Sequence, residues 1–342
     1  MVRLRGRFLV QFFCELSCPN RREFIRKFFE FAPRGAFQAR ISGDFSPFER
    51  NRASVFAETL LCDVASAICR AASIRFFKAC LPQYSEHQDS RGRMQDLIIR
   101  AAKLLHRAKH PIFLSGAGIS AESGIPTFRG EDGLWNNYRA EELATPEAFA
   151  RDPHLVWRWY NWRKNLIAAC KPNPAHYAAA ELQQLLPELL CVTQNVDGFH
   201  SLAGLTEIIE MHGNIYRTRC LSCKTVAENR TEIDPTTPCP ACGKVPLRPD
   251  VVWFGEALPR AVMDKLHERL QVADAILVVG TSGTVYPAAG FAIEVRRRRG
   301  AVIEINIDTA HQPYADDIYL HGKAGEILPA IVRELKKLIK KE

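Results

Sequence analysis

No apolar run in the 342 residues approaches the length of a membrane-spanning helix, so a soluble chain with no membrane partner is expected. A disulfide framework is also missing: of eleven cysteines, four fall in a metal pattern and the others follow no regular spacing, which fits a reducing compartment. The formal charge of +8 and pI near 9.0 invite a nucleic-acid reading, yet residues 1–93 carry 16 Lys and Arg against 9 Asp and Glu, and the remainder 30 against 29. The nearly neutral part has no basic, aromatic-interleaved surface, which excludes nucleic acid as the expected partner. At 47% hydrophobic content, the chain can bury one large core and a smaller module.

Residues 1–93 hold Phe- and Arg-rich pieces and five scattered cysteines but no motif with recognisable chemistry. The run Phe8-Leu9-Val10-Gln11-Phe12-Phe13 is too short and broken for a secretory signal. Glu15, Glu23, Glu30 and Asp44 count against a transit peptide despite the Arg bias. We expect an extension without fixed order, read from an early start ahead of Met94, and a domain over residues 94–342.

From Met94, the positions Leu97, Ile98, Ala101, Leu104, Leu105 and Ala108 keep helical spacing. Four short apolar runs, at 111–114, 189–192, 275–279 and 301–305, read as buried parallel strands, with helices over 261–271 and 288–299. Strand-helix alternation predicts an α/β, Rossmann-like doubly wound parallel sheet. In such sheets ligands bind beyond the carboxyl ends of the strands.

Directly after the first of these runs, Gly116-x-Gly118-x-x-Ala121 fits a dinucleotide-binding fingerprint, in which glycines permit a tight turn and a pyrophosphate faces amides at a helix start. The whole stretch Gly116 to Gly130, GAGISAESGIPTFRG, closely resembles the signature of the sirtuins, NAD-dependent protein-lysine deacylases. The resemblance implies that Gly116, Ala117, Gly118, Ile119, Ser120, Ala121, Phe128, Arg129 and Trp135 line an NAD site. It extends to Thr193-Gln194-Asn195-Val196-Asp197, which is similar to the loop around the nicotinamide end. There Asn195 orients the ribose or a water, Asp197 accepts from the carboxamide and Gln194 lies on the ribose, with Val196 beside them. Gly280-Thr281-Ser282, Asn306-Ile307-Asp308 and Ala324 are implied as adenosine-side contacts.

His212 matches the family's catalytic histidine. By the family's mechanism the acyl-lysine oxygen attacks ribose C1′, nicotinamide leaves, and a base activates a ribose hydroxyl, yielding O-acyl-ADP-ribose. Imidazole suits that proton because its unperturbed pKa is about 6.5.

Cys220-x2-Cys223 and Cys239-x2-Cys242, fifteen residues apart, have the spacing of a four-thiolate zinc site. With no open position, one Zn2+ would be structural. Sirtuins carry such a ribbon as an insertion, here about 214–250, and with a helical segment at about 135–175 it forms the smaller module.

Val252-Trp253-Phe254-Gly255-Glu256 resembles the extended segment that holds the substrate peptide by main-chain pairing. Tyr160 and Arg163, three apart on a helix face, resemble the pair of the class III sirtuins, which remove succinyl, malonyl and glutaryl groups. A guanidinium and a phenol would hold the terminal carboxylate of such an acyl group. Acylated protein lysines are therefore the expected substrates, for a monomer in the cytoplasm, with the mitochondrial matrix as the alternative. Two rival readings are a mono-ADP-ribosyltransferase on the same NAD site and a sensor of NAD or ADP-ribose without turnover.

Overall fold

The computed structural model describes residues 92–127, 138–307, 314 and 316–341. The N-terminal extension therefore lies outside the described residues, as do Phe128, Arg129, Trp135 and Asp308.

In chain order the described strands are β1 (Pro111–Ser115), β2 (Leu190–Thr193), β3 (Ile208–Glu210), β4 (Gly213–Cys220), β5 (Val226–Glu228), β6 (Leu247–Val251), β7 (Ala275–Val279), β8 (Ala301–Asn306) and β9 (Ile318–His321). Six of them form one parallel sheet in the order β3-β2-β1-β7-β8-β9. The chain builds outward from β1 to β3, returns to the centre at β7 and builds the other way. The strand order therefore reverses between β1 and β7, and a doubly wound sheet opens its ligand crevice at such a point.

Alternate residues of the central strands feed two cores, as a period of two requires. Phe113, Leu277, Val279, Ile303 and Ile305 pack with the helices at residues 92–107, Pro174–Leu185 and Ala324–Ile339. Ile112, Leu114, Ile276, Val278 and Val302 face the opposite way, against Arg260–Val272 and Phe291–Arg297. Because both faces are covered, the central strands are mostly apolar, and β1 and β7 are buried along their whole length.

The other three strands make an antiparallel sheet, β5-β4-β6. It shares a core with Pro153–Ala168, built from Trp157, Trp159, Tyr160, Ile215, Tyr216, Leu247 and Trp253. Three helices in the described residues start by the same device, a capping side chain followed by proline at the first helical position. Thr145-Pro146, Asp152-Pro153 and Asn173-Pro174 each supply an oxygen to an otherwise unpaired amide and a preset φ. The expected helix over 288–299 is instead a short 3-10 turn, Ala288–Gly290, followed by Phe291–Arg297.

Candidate active site and metal centre

The carboxyl ends of β1 and β7 meet backbone to backbone. The Gly116 amide donates to the Val279 carbonyl at 3.0 Å, and the Gly118 amide to the Gly280 carbonyl at 2.8 Å. A Cβ on Gly116 or Gly118 would stand 2.8 or 2.7 Å from the Gly280 oxygen, and Gly280 itself holds a φ of +59°. This explains why glycine stands at these positions. The amides of Gly116, Gly118, Ile119 and Ser120 are all spent on carbonyls of the chain, because the turn closes on itself and on β7. Ile119 turns its side chain into the core, as does Ala324. Val196 packs into the small-module core.

What faces the crevice is a set of side chains on the strand ends. Gln194, after β2, donates from its amide N–H to the Ser115 carbonyl at 3.0 Å and from Nε2 to Thr281 Oγ1 at 3.1 Å, tying β2 across β1 to β7. Asn306 Nδ2 reaches the Thr281 carbonyl at 2.7 Å, while Ser282 Oγ lies 2.9 Å from Thr284 Oγ1 and Ile307 is exposed. Asn195 is buried, and its Nδ2 donates to the Gly116 carbonyl and to Ser120 Oγ, each at 3.1 Å. The Ser120 hydroxyl donates in turn to Asp197 Oδ2 at 2.7 Å, and the Phe199 amide donates to Asp197 Oδ1 at 2.9 Å. Burial pushes the Asp197 carboxyl above the ordinary carboxylate range, opposed by those hydrogen bonds and by Arg163. Each carboxylate oxygen keeps a lone pair for a further donor.

His212 follows β3, and its Nδ1 lies 2.9 Å from the Gln194 carbonyl. A carbonyl only accepts, so Nδ1 carries the proton and Nε2 is left as the acceptor. Burial lowers the His212 pKa below 6.5, partly offset by that hydrogen bond. Hydrogen bonds thus join residue 195 to 116 and residues 212 and 281 to 194, and the consecutive residues 194 and 195 bring both groups to one point of the sheet.

Behind this layer lie two buried histidines that the sequence reading did not single out. His176 Nδ1 accepts from the Asn173 amide at 3.2 Å, and its Nε2 faces Ser120 Oγ at 3.4 Å. His200 Nε2 lies 2.8 Å from Ser115 Oγ, which also bonds Thr193 Oγ1 at 2.9 Å. The available signal was Asn173-Pro174 with His176 three residues after the cap, the spacing of a capping box.

In the smaller sheet the four cysteine sulfurs lie within 4.8 Å of one another. Cys220–Cys242 and Cys223–Cys239 are each 3.7 Å apart, far beyond a disulfide and close to the edge of roughly 3.8 Å that a tetrahedron with 2.3 Å Zn–S bonds requires. The two Cys-x2-Cys turns repeat one geometry. The amides of Cys220 and Cys239 donate to the carbonyls five residues on, Thr225 and Lys244. Lys224 and Gly243, each following the second cysteine, take left-handed φ values of 64° and 71°. The donor set fits one structural zinc ion.

The Sir2 family profile matches residues 116–287, half of the chain, across the glycine turn, the Asn195 loop, His212 and all four cysteines. The chain belongs to the Sir2 family. It is 50% identical over 250 residues to a protein of Pyrococcus abyssi named NAD-dependent protein deacylase, covering 71% of this chain and all of that one. A solved Sir2 homolog–NAD complex is similar at 46% identity and TM-score 0.65, over 70% of this chain and 94% of the other. Sir2Af2 bound to a myristoylated histone peptide is similar at 34% identity and TM-score 0.57, over 72% and 99%.

Within this Sir2 fold the segment expected to hold the peptide follows directly on β6. The extended strand ends at Val251, and a turn follows at Phe254 and Gly255, with Gly255 at a φ of +84°. The Val252 amide donates to the His212 carbonyl, Trp253 to Glu256 Oε2, Phe254 to the Ala144 carbonyl and Glu256 to the Trp253 carbonyl. Trp253 is buried, whereas Phe254 is exposed. Tyr160 is fully buried on Pro153–Ala168 and its hydroxyl accepts from Trp253 Nε1 at 2.9 Å. Arg163, one turn on, lies over the Trp159 ring at 5.3 Å, near enough to Tyr160 and Asp197 for their charges to raise its pKa against the lowering by burial.

Proposed function

We propose that this Sir2 family enzyme, an NAD-dependent protein deacylase, acts on protein lysines whose acyl group ends in a carboxylate, succinyl and malonyl, and more weakly on acetyl-lysine. The observation that carries the proposal is the pair on Pro153–Ala168: a buried phenol and a half-buried guanidinium one turn apart, with the guanidinium in electrostatic reach of Asp197. A carboxylate brought by the substrate into a site partly shielded from water gains more from a guanidinium there than it would in bulk water. A guanidinium supplies two parallel donors to such a group and the phenol a third. An acetyl methyl offers nothing in return.

The other residues take roles that suit deacylation. NAD, when bound, supplies the ribose carbon that receives the acyl oxygen. Gln194, Thr281 and Asn306 present polar atoms to a dinucleotide along the strand ends, and Asp197 has lone pairs for a carboxamide N–H. Asn195 is held by Gly116 and Ser120 and keeps its amide oxygen for a hydroxyl or a water. His212 receives the ribose hydroxyl proton on Nε2, and the Nδ1–H bond to Gln194 fixes the ring for that transfer. The peptide lies along the turn after β6, against exposed Phe254.

The test uses matched acetyl-lysine and succinyl-lysine peptides with NAD. The succinyl peptide is expected to give the higher kcat/KM in the parent enzyme, and Arg163→Met to lower that value far more than the acetyl value. Equal losses on both peptides would make Arg163 a structural residue and end the proposal.

A further inference from the structure

The Tyr160 hydroxyl is not an isolated group, and what holds it starts two strands away. A phenol carries one proton and two lone pairs, whereas an indole N–H can only donate. The 2.9 Å contact from Trp253 Nε1 therefore occupies a lone pair of Tyr160 and turns the phenol's own proton away from Trp253. The ring itself is wedged edge-on between Trp159 and Trp157, at centroid distances of 4.6 and 6.4 Å.

Trp253 is in turn held on three sides. Phe149 packs on it at 5.2 Å between centroids. The Arg248 guanidinium lies 3.4 Å from the centre of its ring. Arg248 also makes a two-pronged ion pair with Glu256, at 2.5 and 2.9 Å, and donates to the Val251 carbonyl at 2.8 Å. Glu256 Oε2 accepts the Trp253 backbone N–H at 2.8 Å. The turn after β6 is thus folded around an Arg–Glu clamp that delivers one indole N–H to one phenol oxygen. Trp253 lies on the very segment expected to hold the peptide, but its buried side chain points down to Tyr160.

We infer that Trp253, locked by Arg248 and Glu256, is a positioning residue for acyl specificity, which sets the Tyr160 hydroxyl as a donor toward a carboxylate at the end of the acyl chain. This rests on the proposed preference for carboxylated acyl groups and adds the element that fixes the phenol. With Trp253 in place, the phenol has its proton to give and one lone pair already filled, which favours an acceptor such as a carboxylate over a donor. Without the indole N–H the hydroxyl is free to turn and accept instead. Burial pushes the Tyr160 phenol up to about 12, so it keeps that proton throughout the neutral range.

Trp253→Phe keeps an aromatic ring between Arg248 and Phe149 but removes the N–H. The ratio of succinyl to acetyl kcat/KM is expected to fall about five- to tenfold, the worth of one hydrogen bond to an anion-binding group, mainly through KM for the succinyl peptide. In a Tyr160→Phe background the same change should leave the ratio where Tyr160→Phe alone puts it, because both variants remove one interaction. Equal losses on both peptides, or a full further loss in the double variant, would reduce Trp253 to a core residue and overturn the inference. A parent enzyme without succinyl preference would end the proposed function, and the inference with it. Conversely, a parent that prefers succinyl and keeps its ratio in Trp253→Phe leaves that function standing and overturns only the role of Trp253. The proton resonance of the Trp253 indole reads the contact without catalysis: it should move in Tyr160→Phe, and an unmoved resonance also refutes the inference.

Discussion

His212 Nδ1 and the Gln194 carbonyl, 2.9 Å apart, join the residue after β3 to the residue after β2 and fix which ring nitrogen is open. Burial lowers the His212 pKa from that of a free imidazole, so at any given pH more of the ring is neutral and able to accept a proton. The acid limb of the deacylation pH profile should therefore lie below that of a free imidazole, whose pKa is about 6.5. His212→Ala should lower kcat by roughly 10²–10⁴ while NAD still binds. Kinetics over a pH series, beside NAD titration of the variant, measure both. An acid limb above 6.5, or near-normal turnover in the variant, would show that the base is another group.

Gly118 to Ala is a test of the backbone packing at the strand switch. The new methyl would stand 2.7 Å from the Gly280 carbonyl oxygen and 2.8 Å from its Cα, and neither atom can rotate aside. The β7 turn must shift, at a cost of about 1–3 kcal/mol for overpacking. Thermal melting should fall, and NAD affinity with it, since Thr281 moves with Gly280. A variant with parental melting temperature and affinity would mean that the close approach has slack.

Much of this architecture could be read before the fold was known, for reasons specific to the elements. β1 and β7 were legible because burial on both faces makes their runs almost wholly apolar, and β8 because four of its first five residues are apolar. β3 and β9 were not: β3 has three residues, and in β9 only Ile318 and Leu320 are buried, too few turns of a two-residue period to stand out. Ala324–Ile339 contains Pro329, which in sequence reads as a breaker. The zinc cysteines were legible because ligand spacing is local. The glycine turn was read correctly as a motif, but its physical cause was not visible, since the atoms that crowd Gly116 and Gly118 belong to Gly280, more than 160 positions later. His176 and His200 escaped notice because a lone histidine carries no pattern, and their partners Ser120 and Ser115 lie 56 and 85 residues away.

Those two histidines predict the acid response of the fold. Burial pushes His176 down to about 4 and His200 down to about 3, with each ring also close to the other at 5.1 Å. In the unfolded chain both take protons near pH 6.5, so between that value and the folded values the unfolded state binds more protons. Stability should thus be complete above pH 6.5 and decline as pH falls toward 4, each ring adding a slope of up to about 1.4 kcal/mol per pH unit. Denaturant midpoints at a series of pH values test this, and His200→Gln should flatten the slope. A midpoint that stays level from pH 7 to 4.5 would mean that the rings titrate in the fold.

Zinc removal separates what the metal holds from what the chemistry uses. None of the four cysteines hydrogen-bonds to His212 or Asn195 in the described residues, yet the sheet they close anchors both sides of the proposed acyl site. Trp157 Nε1 donates to the Leu247 carbonyl at 3.0 Å, Asn161 exchanges two hydrogen bonds with Ile233, and the buried Lys164 donates to Asn229 Oδ1 at 2.8 Å. These residues lie on the helix that carries Tyr160 and Arg163. On the other side, the Val252 amide bonds the His212 carbonyl at 2.9 Å. A ribbon without metal has too small a core to persist alone. Chelation should therefore abolish deacylation on both acyl substrates together, while the parallel sheet and its helices keep most of their circular dichroism. Turnover and bound metal should fall in step as chelator is added, and zinc restored before aggregation should recover both. Metal-free protein with full activity would show that the small sheet stands without its ion and that the helix is held by other contacts.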